Sequence, residues 1–263
     1  MAGRELGERK SIREKEVPRD TCGLNCVCFN ARSVVGKTDE LGALMFVRQL
    51  DVVAVTETWL REGQDWQLNV PGYKCFRCDR GGMKRGGGVA LLVKESITVV
   101  QREDDREEIG IESVWVELRS KKGEITLLGV YYRPPNSPKS VEEGICRGIL
   151  DRCRKNRVVV VGDFNFPGVN WRGPRAGGTE GEEFVNCVME GSLEQYVTSP
   201  TRGGAILDLV LGNEPGQVGE VEVGEHVANS DHKSVYFRIK MERDECRPEW
   251  ECAELGKGEL WQD

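Results

Sequence analysis

The nine residues Arg157-Val-Val-Val-Val-Gly-Asp-Phe-Asn165 contain four consecutive valines. β-Branched residues favour strands, and a short, wholly apolar run is typical of a central strand that is buried on both faces. This predicted strand delivers a carboxylate, Asp163, and a carboxamide, Asn165, at its end. Phe164 lies between them and is expected to point into the core, while Asp163 and Asn165 share the opposite side. Gly-Asp-x-Asn is also turn chemistry, so the segment alone favours a turn and a functional site equally.

The composition bounds the class of protein. The chain has 263 residues, of which 38% are hydrophobic and 31% charged, and this balance predicts a soluble protein with one substantial core. Residues 1–21 are mostly charged and are expected to form a solvated arm, and the polar residues 241–263 are expected to form a linker. Residues 22–240 are therefore predicted to be a single domain. No apolar run approaches the roughly 20 residues of a membrane span, so no membrane partner is expected.

The predicted secondary structure is a mixture of about ten strands and three helices. Many of the strands are joined as antiparallel hairpins, and two are apolar enough to be central. This pattern predicts two sheets packed face to face with helices outside. One helix is expected over residues 140–155, with Ser140 as its N-cap and Glu143 completing a capping box.

Polar side chains occur at the ends of several predicted strands. The full set is Asn30, Glu57, Tyr132, Asp163, Asn165, Asp208, Asp231 and His232. Taken alone, Glu57 also fits a solvated strand end and His232 a surface histidine. Carboxylates that converge without a cation raise one another's pKa, and a hard divalent ion relieves this repulsion. Oxygen ligands favour Mg²⁺, so the set predicts metal-assisted phosphoester hydrolysis.

The net charge of −7 argues against a general nucleic-acid coat protein, but it leaves room for a local basic face. Residues 74–85 contain five basic residues and one acid beside a glycine-rich segment. Such a segment suits contact with a phosphate backbone, and it equally suits a solvated hairpin. The candidate DNA contacts are Lys84 and Arg85 in this patch, together with Arg133 and Arg202.

The order of these motifs resembles the endonuclease/exonuclease/phosphatase superfamily. The closer resemblance is to the endonuclease domain of LINE-type non-LTR retrotransposons, especially the chicken-repeat type, and it covers residues 24–240. The motifs that carry it are Asn30-Ala-Arg-Ser33, Thr56-Glu-Thr-Trp59, Tyr132-Arg-Pro-Pro-Asn136, Gly162-Asp-Phe-Asn165, Ser199-Pro-Thr-Arg-Gly-Gly204, Leu207-Asp-Leu-Val-Leu211 and Ser230-Asp-His232. Each motif is weak by itself, but their order over about 200 residues is specific.

The resemblance implies an α/β (α+β) fold of the DNase I type, a four-layer sandwich of two mainly antiparallel sheets with helices outside. It implies Mg²⁺-dependent nicking of DNA, with Mn²⁺ as a possible substitute, to expose a 3′-hydroxyl primer for reverse transcription. DNA and a reverse-transcriptase domain of the same polyprotein are the implied partners, and the nucleus is the implied location. The alternatives are an abasic-site endonuclease, a small-phosphoester hydrolase or an inactive co-opted relic. The intact motifs disfavour the relic.

The resemblance also implies a role for each strand-end residue. Glu57 would be the main metal ligand, with Asn30 beside it. Asp163 would orient or deprotonate the attacking water, and Asn165 would hold the phosphate. Tyr132 would contact the phosphate as well, while Tyr131 would point to the opposite face.

The remaining roles belong to the last third of the chain. His232 would bind the scissile phosphate and stabilise its charge. Asp208 would orient His232 or a loop, and Asp231 would complete the site as a further metal ligand. The hairpin around residues 201–204 would enter a DNA groove, which makes Arg202 a candidate contact.

Overall fold

The computed structural model describes residues 23–82, 85–101, 110–173, 175–176, 181–227 and 229–241, with only the backbone described at 175–176. The predicted arm 1–21, the DNA contact predicted at Lys84 and the linker beyond Met241 lie outside the described residues. In the part that is described, no helix is long and apolar enough to cross a membrane.

Strands make up most of the regular secondary structure in the described residues. They are β1 (Leu24–Asn30), β2 (Val52–Thr56), β3 (Tyr73–Cys78), β4 (Val89–Lys94), β5 (Thr98–Gln101), β6 (Glu112–Arg119), β7 (Ile125–Tyr132), β8 (Arg157–Asp163), β9 (Val169–Asn170), β10 (Arg175–Ala176), β11 (Glu194–Gln195), β12 (Asp208–Gly212), β13 (Val218–His226) and β14 (Lys233–Ile239). The helices are α1 (Thr38–Val47), α2 (Lys139–Cys153) and α3 (Glu182–Glu190), with a short 3₁₀ turn at Asp65–Leu68.

The strands form two six-stranded sheets and one small ribbon. The first sheet has the order β13-β14-β1-β2-β4-β3, and the second has the order β11-β12-β8-β7-β6-β5. The ribbon consists of β9 and β10. Each large sheet has one parallel pair, β1 with β2 and β7 with β8, and its other pairs are antiparallel. The prediction of two mainly antiparallel sheets is confirmed.

Three apolar clusters give the molecule four layers. The central cluster takes alternate residues from both sheets, such as Cys28 of β1 and Val159 of β8, and it lies between them. The opposite face of the first sheet packs against α1 through Met45. The outer face of the second sheet packs against α2 and α3, with Ile149 and Phe184 fully buried. This is the helix-sheet-sheet-helix sandwich that the resemblance implies.

The start of α2 corrects one prediction. The helix begins at Lys139, Pro138 occupies the N-cap, and no side chain caps the first turn. Ser140 is therefore inside the helix, and the predicted capping box with Glu143 is wrong. Pro138 has the non-helical backbone that an N-cap requires, with φ −57° and ψ 148°, and the fixed φ of proline is compatible with it. Glu143 instead lies 3.8 Å from the Lys139 ammonium one turn earlier.

The two parallel pairs bring the polar strand ends to one edge of the sandwich. Asn30 pairs in register with Thr56, which precedes Glu57, and Tyr132 pairs with Asp163. Asp163 is also paired with Asp208 across β8 and β12. Because parallel strands end on the same side, the ends of β1, β2, β7 and β8 can contribute to one site.

Candidate active site

Asp163 stands at the centre of this edge, and the glycine before it explains its position. Gly162 has φ +140°, and a Cβ there would lie 1.9 Å from the carbonyl oxygen of Tyr131. Only glycine fits so close to the neighbouring strand. Phe164 is fully buried among the rings of Tyr131 and Phe184, as expected from the alternation of the strand. Asp163 therefore faces the opposite side, where the other polar groups lie.

The Asp163 carboxylate is completely buried and hydrogen-bonded. Its Oδ2 accepts from Nδ2 of Asn30 at 2.9 Å, and its Oδ1 accepts from the backbone N–H of Asn165 at 3.2 Å. Burial, followed by the nearby charge of Asp208, raises the pKa of Asp163 to about 8, although His232 and Asn30 act in the opposite direction. A carboxylate in this setting is a much stronger proton acceptor than an exposed one.

His232 and Asp208 form a buried pair next to Asp163. Nδ1 of His232 lies 2.8 Å from Oδ2 of Asp208, and Nε2 lies 3.9 Å from Oδ2 of Asp163. Burial acts to lower the pKa of His232, but the hydrogen bond to Asp208 and the two carboxylate charges outweigh it, so the pKa is raised. This geometry favours a charged imidazole whose Nε2–H points toward Asp163 and the space beside it.

Glu57 occupies the other side of the site and is held by three donors. Its Oε1 accepts from Nδ2 of Asn30 and from the hydroxyl of Tyr132, both at 2.9 Å, and its Oε2 accepts from Nε1 of Trp59 at 3.0 Å. Glu57 has a left-handed backbone with φ +53°, an uncommon conformation that turns the side chain away from the strand direction. Asn30 donates to both Glu57 and Asp163 and so joins the two halves of the site.

Two groups of residues could hold a cation. Asp163, Asp208 and His232 offer ligand atoms within 4.8 Å of one another. Glu57 is only half-buried, and the three donors use three of the roughly four acceptor positions of its carboxylate. Mg²⁺ prefers oxygen ligands from one or two carboxylates and keeps several waters, so an imidazole nitrogen is a poor ligand for it. The half-buried Glu57 carboxylate, which keeps an acceptor position free, therefore fits a hydrated Mg²⁺ ion better than the histidine cluster does.

Asn165 and Arg133 contact each other rather than solvent. Nδ2 of Asn165 donates to the carbonyl oxygen of Arg133 at 2.9 Å. The Arg133 guanidinium is 3% exposed; it donates to the carbonyl oxygens of Phe164 and Asn165 and lies 4.0 Å from the Phe166 ring centroid. A guanidinium buried in this way is a structural support for the loop after β8. The structure therefore does not support Arg133 as a DNA contact.

Asp231 does not join the other carboxylates. Its oxygens lie 2.7 Å from Nη2 of Arg202 and 3.5 Å from Nη1 of Arg32, at the exposed rim beside His232. Partial burial acts to raise the pKa of Asp231, but the neighbouring guanidinium groups, Arg202 above all, hold it below its usual value. The structure places Arg202 at the rim and leaves Asp231 apart from Glu57 and Asn30.

Two arginines of the basic patch are paired with acidic residues. Arg77 pairs with Asp65 and Asp79, and Arg80 pairs with Glu112. Arg85 is exposed, and its guanidinium lies 5.1 Å from the ring centroid of Trp59. A cleft of about 280 Å³ lies beside this pair. The residues that line it include Ser33, Trp59, Arg61, Arg80 and Arg85. Arg85 is thus an exposed guanidinium of the patch that lies against Trp59, the residue whose indole donates to Glu57.

Sequence reasoning missed the ion pair that supports Glu57. Nε of Arg80 lies 2.6 Å from Oε1 of Glu112, and Oε2 of Glu112 accepts from the backbone N–H of Gly88. In turn, the carbonyl oxygen of Gly88 accepts from the Thr58 N–H, and the carbonyl oxygen of Gly87 accepts from the Trp59 N–H. The register of the β6–β7 hairpin could have indicated that Glu112 lies near the site, because Glu112 pairs directly with Tyr132 once the turn at Gly123 is fixed.

Thr201 was also missed as a supporting residue. It is buried, and its Oγ1 accepts from the backbone N–H groups of Leu207 and Asp208, both at 3.1 Å. Its own carbonyl accepts from Lys233 N–H at 2.8 Å, immediately after His232. The hairpin that carries Arg202 is therefore fixed to both members of the His232–Asp208 pair.

Comparison with known proteins shows the family of the chain. The Endonuclease/Exonuclease/phosphatase family matches residues 27–232, which is more than half of the 263 residues. The RNA-directed DNA polymerase from mobile element jockey is 26% identical over 149 residues in Drosophila funebris and 24% identical over 159 residues in Drosophila melanogaster. These matches cover 55% and 56% of this chain but only 15% of each relative.

Solved structures share the fold at low sequence identity. The endonuclease domain of TRAS1, a telomere-specific non-LTR retrotransposon, has a TM-score of 0.66 and 18% identity, covering 84% of this chain and 100% of that domain. The AP endonuclease LMAP from Leishmania major has a TM-score of 0.67 and 14% identity, covering 84% and 88%. The resemblance to retrotransposon endonucleases is confirmed, and the chain belongs to the Endonuclease/Exonuclease/phosphatase family.

Proposed function

We propose that this protein is a Mg²⁺-dependent endonuclease that nicks DNA and leaves a 3′-hydroxyl. The observation that carries the proposal is the bridge made by Asn30, whose Nδ2 donates to both Glu57 and Asp163. The bridge joins the half-exposed Glu57 carboxylate, which is suited to bind a hard cation, to the buried Asp163 carboxylate, which is suited to orient a water molecule. Phosphodiester hydrolysis needs both, because a charged ester must be neutralised before a nucleophile can attack it.

Each residue then has a defined part. Glu57, with Asn30 beside it, would hold the Mg²⁺ ion, which supplies charge neutralisation at the phosphate when bound. Asp163 accepts the proton of the attacking water and orients it. His232, held by Asp208, stabilises the negative charge that develops on the phosphate. Tyr132 keeps Glu57 in place through its hydroxyl, whereas Asn165 supports the loop after β8 through its contact with Arg133.

The relatives support DNA as the substrate and a role in retrotransposition. The TRAS1 domain is an endonuclease of a non-LTR retrotransposon, and the jockey relatives are RNA-directed DNA polymerases of mobile elements. We propose that the nick provides the primer for a reverse-transcriptase domain of the same polyprotein, and that the protein acts in the nucleus. Residues 22–240 would be the nuclease unit, between a charged arm and a polar linker.

The second candidate is an abasic-site endonuclease, since LMAP has the same fold and a similar TM-score. Both candidates can be tested with end-labelled duplexes, one intact and one containing a single abasic site, incubated with Mg²⁺ or with EDTA. Nicks in the intact duplex that a DNA polymerase can extend support the proposed function. Cleavage confined to the abasic duplex supports the second candidate. If neither duplex is cut by folded protein in Mg²⁺, both are rejected in favour of a smaller phosphoester substrate.

A further inference from the structure

The Asp231 carboxylate is shared by two arginines. Nη2 of Arg202 lies 2.7 Å from one oxygen, and Nη1 of Arg32 lies 3.5 Å from the other. The side chains of Arg32, Arg202 and Asp231 are 55%, 44% and 40% exposed. The three residues therefore form an open ion cluster, with guanidinium surface still facing solvent.

The backbone around each arginine is fixed to the active site. Arg32 has φ +46°, and its N–H donates to Oδ1 of Asn30 at 3.0 Å, which makes a tight turn at the end of β1. The N–H of the next residue, Ser33, donates to the carbonyl oxygen of Glu57 at 2.8 Å. Arg202 lies on the hairpin that Thr201 anchors to Asp208 and Lys233. The cluster therefore joins two segments that leave the site from different sheets.

The charges of this cluster are unsuited to a metal ion. Both oxygens of Asp231 face guanidinium groups, so a divalent cation would have to approach two fixed positive charges. The groups that donate to Glu57, in contrast, are all neutral. Asp231 is thus better placed to orient arginines than to bind Mg²⁺, unlike the role that the sequence resemblance implies.

We propose that Arg32 and Arg202, held by Asp231, form an arginine clamp for a DNA backbone phosphate next to the scissile one. The ligand rests on the proposed function, which makes DNA the substrate. A guanidinium has five N–H donors, and one carboxylate oxygen uses only part of them, so each arginine can also bind a phosphate oxygen. The shared carboxylate limits the rotation of both side chains, which reduces the entropy lost when they bind DNA.

The first test measures DNA binding without cleavage. Fluorescence anisotropy of a labelled duplex in EDTA gives the binding constant over a range of salt concentrations for wild type, Arg32→Ala, Arg202→Ala and the double variant. The matched control is Arg119→Ala, because Arg119 is an exposed arginine paired with Glu117 at the far end of β6, opposite Glu112. A plot of the logarithm of the binding constant against the logarithm of the salt concentration has a negative slope. Each clamp variant should make that slope shallower by about 0.9, and the control should leave it unchanged.

The second test distinguishes whether Asp231 orients the two arginines or binds a metal ion. Calorimetric titration with Mn²⁺ should give the same affinity for Asp231→Asn as for wild type, within about twofold. In the nicking reaction at saturating DNA, Asp231→Asn should lower the rate about tenfold, because a misplaced strand reacts slowly. When Asp231→Asn is added to the Arg32→Ala/Arg202→Ala variant, the nicking rate should hardly change further, since Asp231 acts through those arginines.

The outcomes distinguish this proposal from the proposed function. Unchanged salt slopes in both arginine variants, or a large loss of Mn²⁺ affinity in Asp231→Asn, would overturn the clamp even if the wild type nicks DNA. Reduced slopes in the arginine variants with no nicking by the wild type would support the clamp and reject the endonuclease.

Discussion

Nδ1 of His232 lies 2.8 Å from Oδ2 of Asp208, and both side chains are almost completely buried. The other oxygen of Asp208 has no hydrogen-bond partner among the described residues. A buried carboxylate is costly unless it is paired, so the histidine accounts for the presence of Asp208 within an otherwise apolar strand. In return, Asp208 fixes the orientation of the imidazole and raises its pKa.

The first prediction concerns this pair. Asp208→Asn keeps the shape of the side chain but removes the charge that supports the imidazolium, so plasmid nicking should slow by about 100-fold. Binding of Mn²⁺, measured by calorimetry, should remain close to the wild-type value, because Asp208 is not near Glu57 in the hydrogen-bond network. Asp151→Asn on the exposed side of α2 is the control. A nicking rate within a few-fold of wild type would remove His232 from the proposed mechanism.

The second prediction concerns the metal site. Mg²⁺ that binds only the folded protein should stabilise it by about 2.7 kcal/mol at a concentration 100 times the dissociation constant. Glu57→Gln should abolish this stabilisation because a neutral amide is a poor ligand for a hard cation. Thermal unfolding with and without Mg²⁺ measures the effect, with Glu62→Gln as an exposed control a few residues away. An undiminished Mg²⁺ shift in Glu57→Gln would point to the Asp163–Asp208–His232 cluster as the metal site instead.

The third prediction concerns Thr201. Thr201→Val retains the volume but leaves the backbone N–H groups of Leu207 and Asp208 without their acceptor, at a cost of about 1–3 kcal/mol for each unsatisfied group. Urea unfolding should show the loss of stability, and nicking should fall as well, because Asp208 shifts. Thr201→Ser keeps the hydroxyl and should restore most of both. Equal stability of the valine and serine variants would mean that the hydroxyl does not position Asp208.

The fourth prediction concerns the Arg80–Glu112 pair. Breaking a buried ion pair typically costs about 3–5 kcal/mol, and Arg80 retains 22% exposure, so Glu112→Gln is expected near the lower value. The double variant Arg80→Met/Glu112→Gln should cost less than the sum of the single changes, since no unpaired charge remains. Urea unfolding of the wild type, Arg80→Met, Glu112→Gln and the double variant gives the coupling energy between the two side chains. Strict additivity would show that the pair does not act as a unit in holding the Gly87–Gly88 loop.

Much of the fold and of the site could be predicted from the sequence. Strands such as β2 and β8 are short apolar runs of β-branched residues, and the polar residues at their ends stand out against that background. The order of the motifs then indicated the family. The structure brings Asn30, Glu57, Tyr132, Asp163, Asp208 and His232 to one edge, which is the grouping that the motifs suggested.

The supporting contacts could not be predicted because they join distant parts of the chain. Arg80 and Glu112 are 32 residues apart, so the hairpin register places Glu112 opposite Tyr132 but does not show that Arg80 meets it. Arg133 looked available because arginines are usually exposed, but the loop after β8 folds over it. Asp231 follows the family motif in sequence, yet its neighbours Arg32 and Arg202 determine where its carboxylate points.

The central claim is that one site, built on Glu57, Asp163 and His232, hydrolyses DNA with Mg²⁺. The most direct measurement is the relaxation of supercoiled plasmid by wild type, Asp163→Asn and His232→Ala, each with Mg²⁺ and with EDTA. We expect open circles from the wild type with Mg²⁺ only, and rates at least about 100-fold lower for both variants. Relaxation that persists in EDTA, or that both variants perform at the wild-type rate, would contradict this claim.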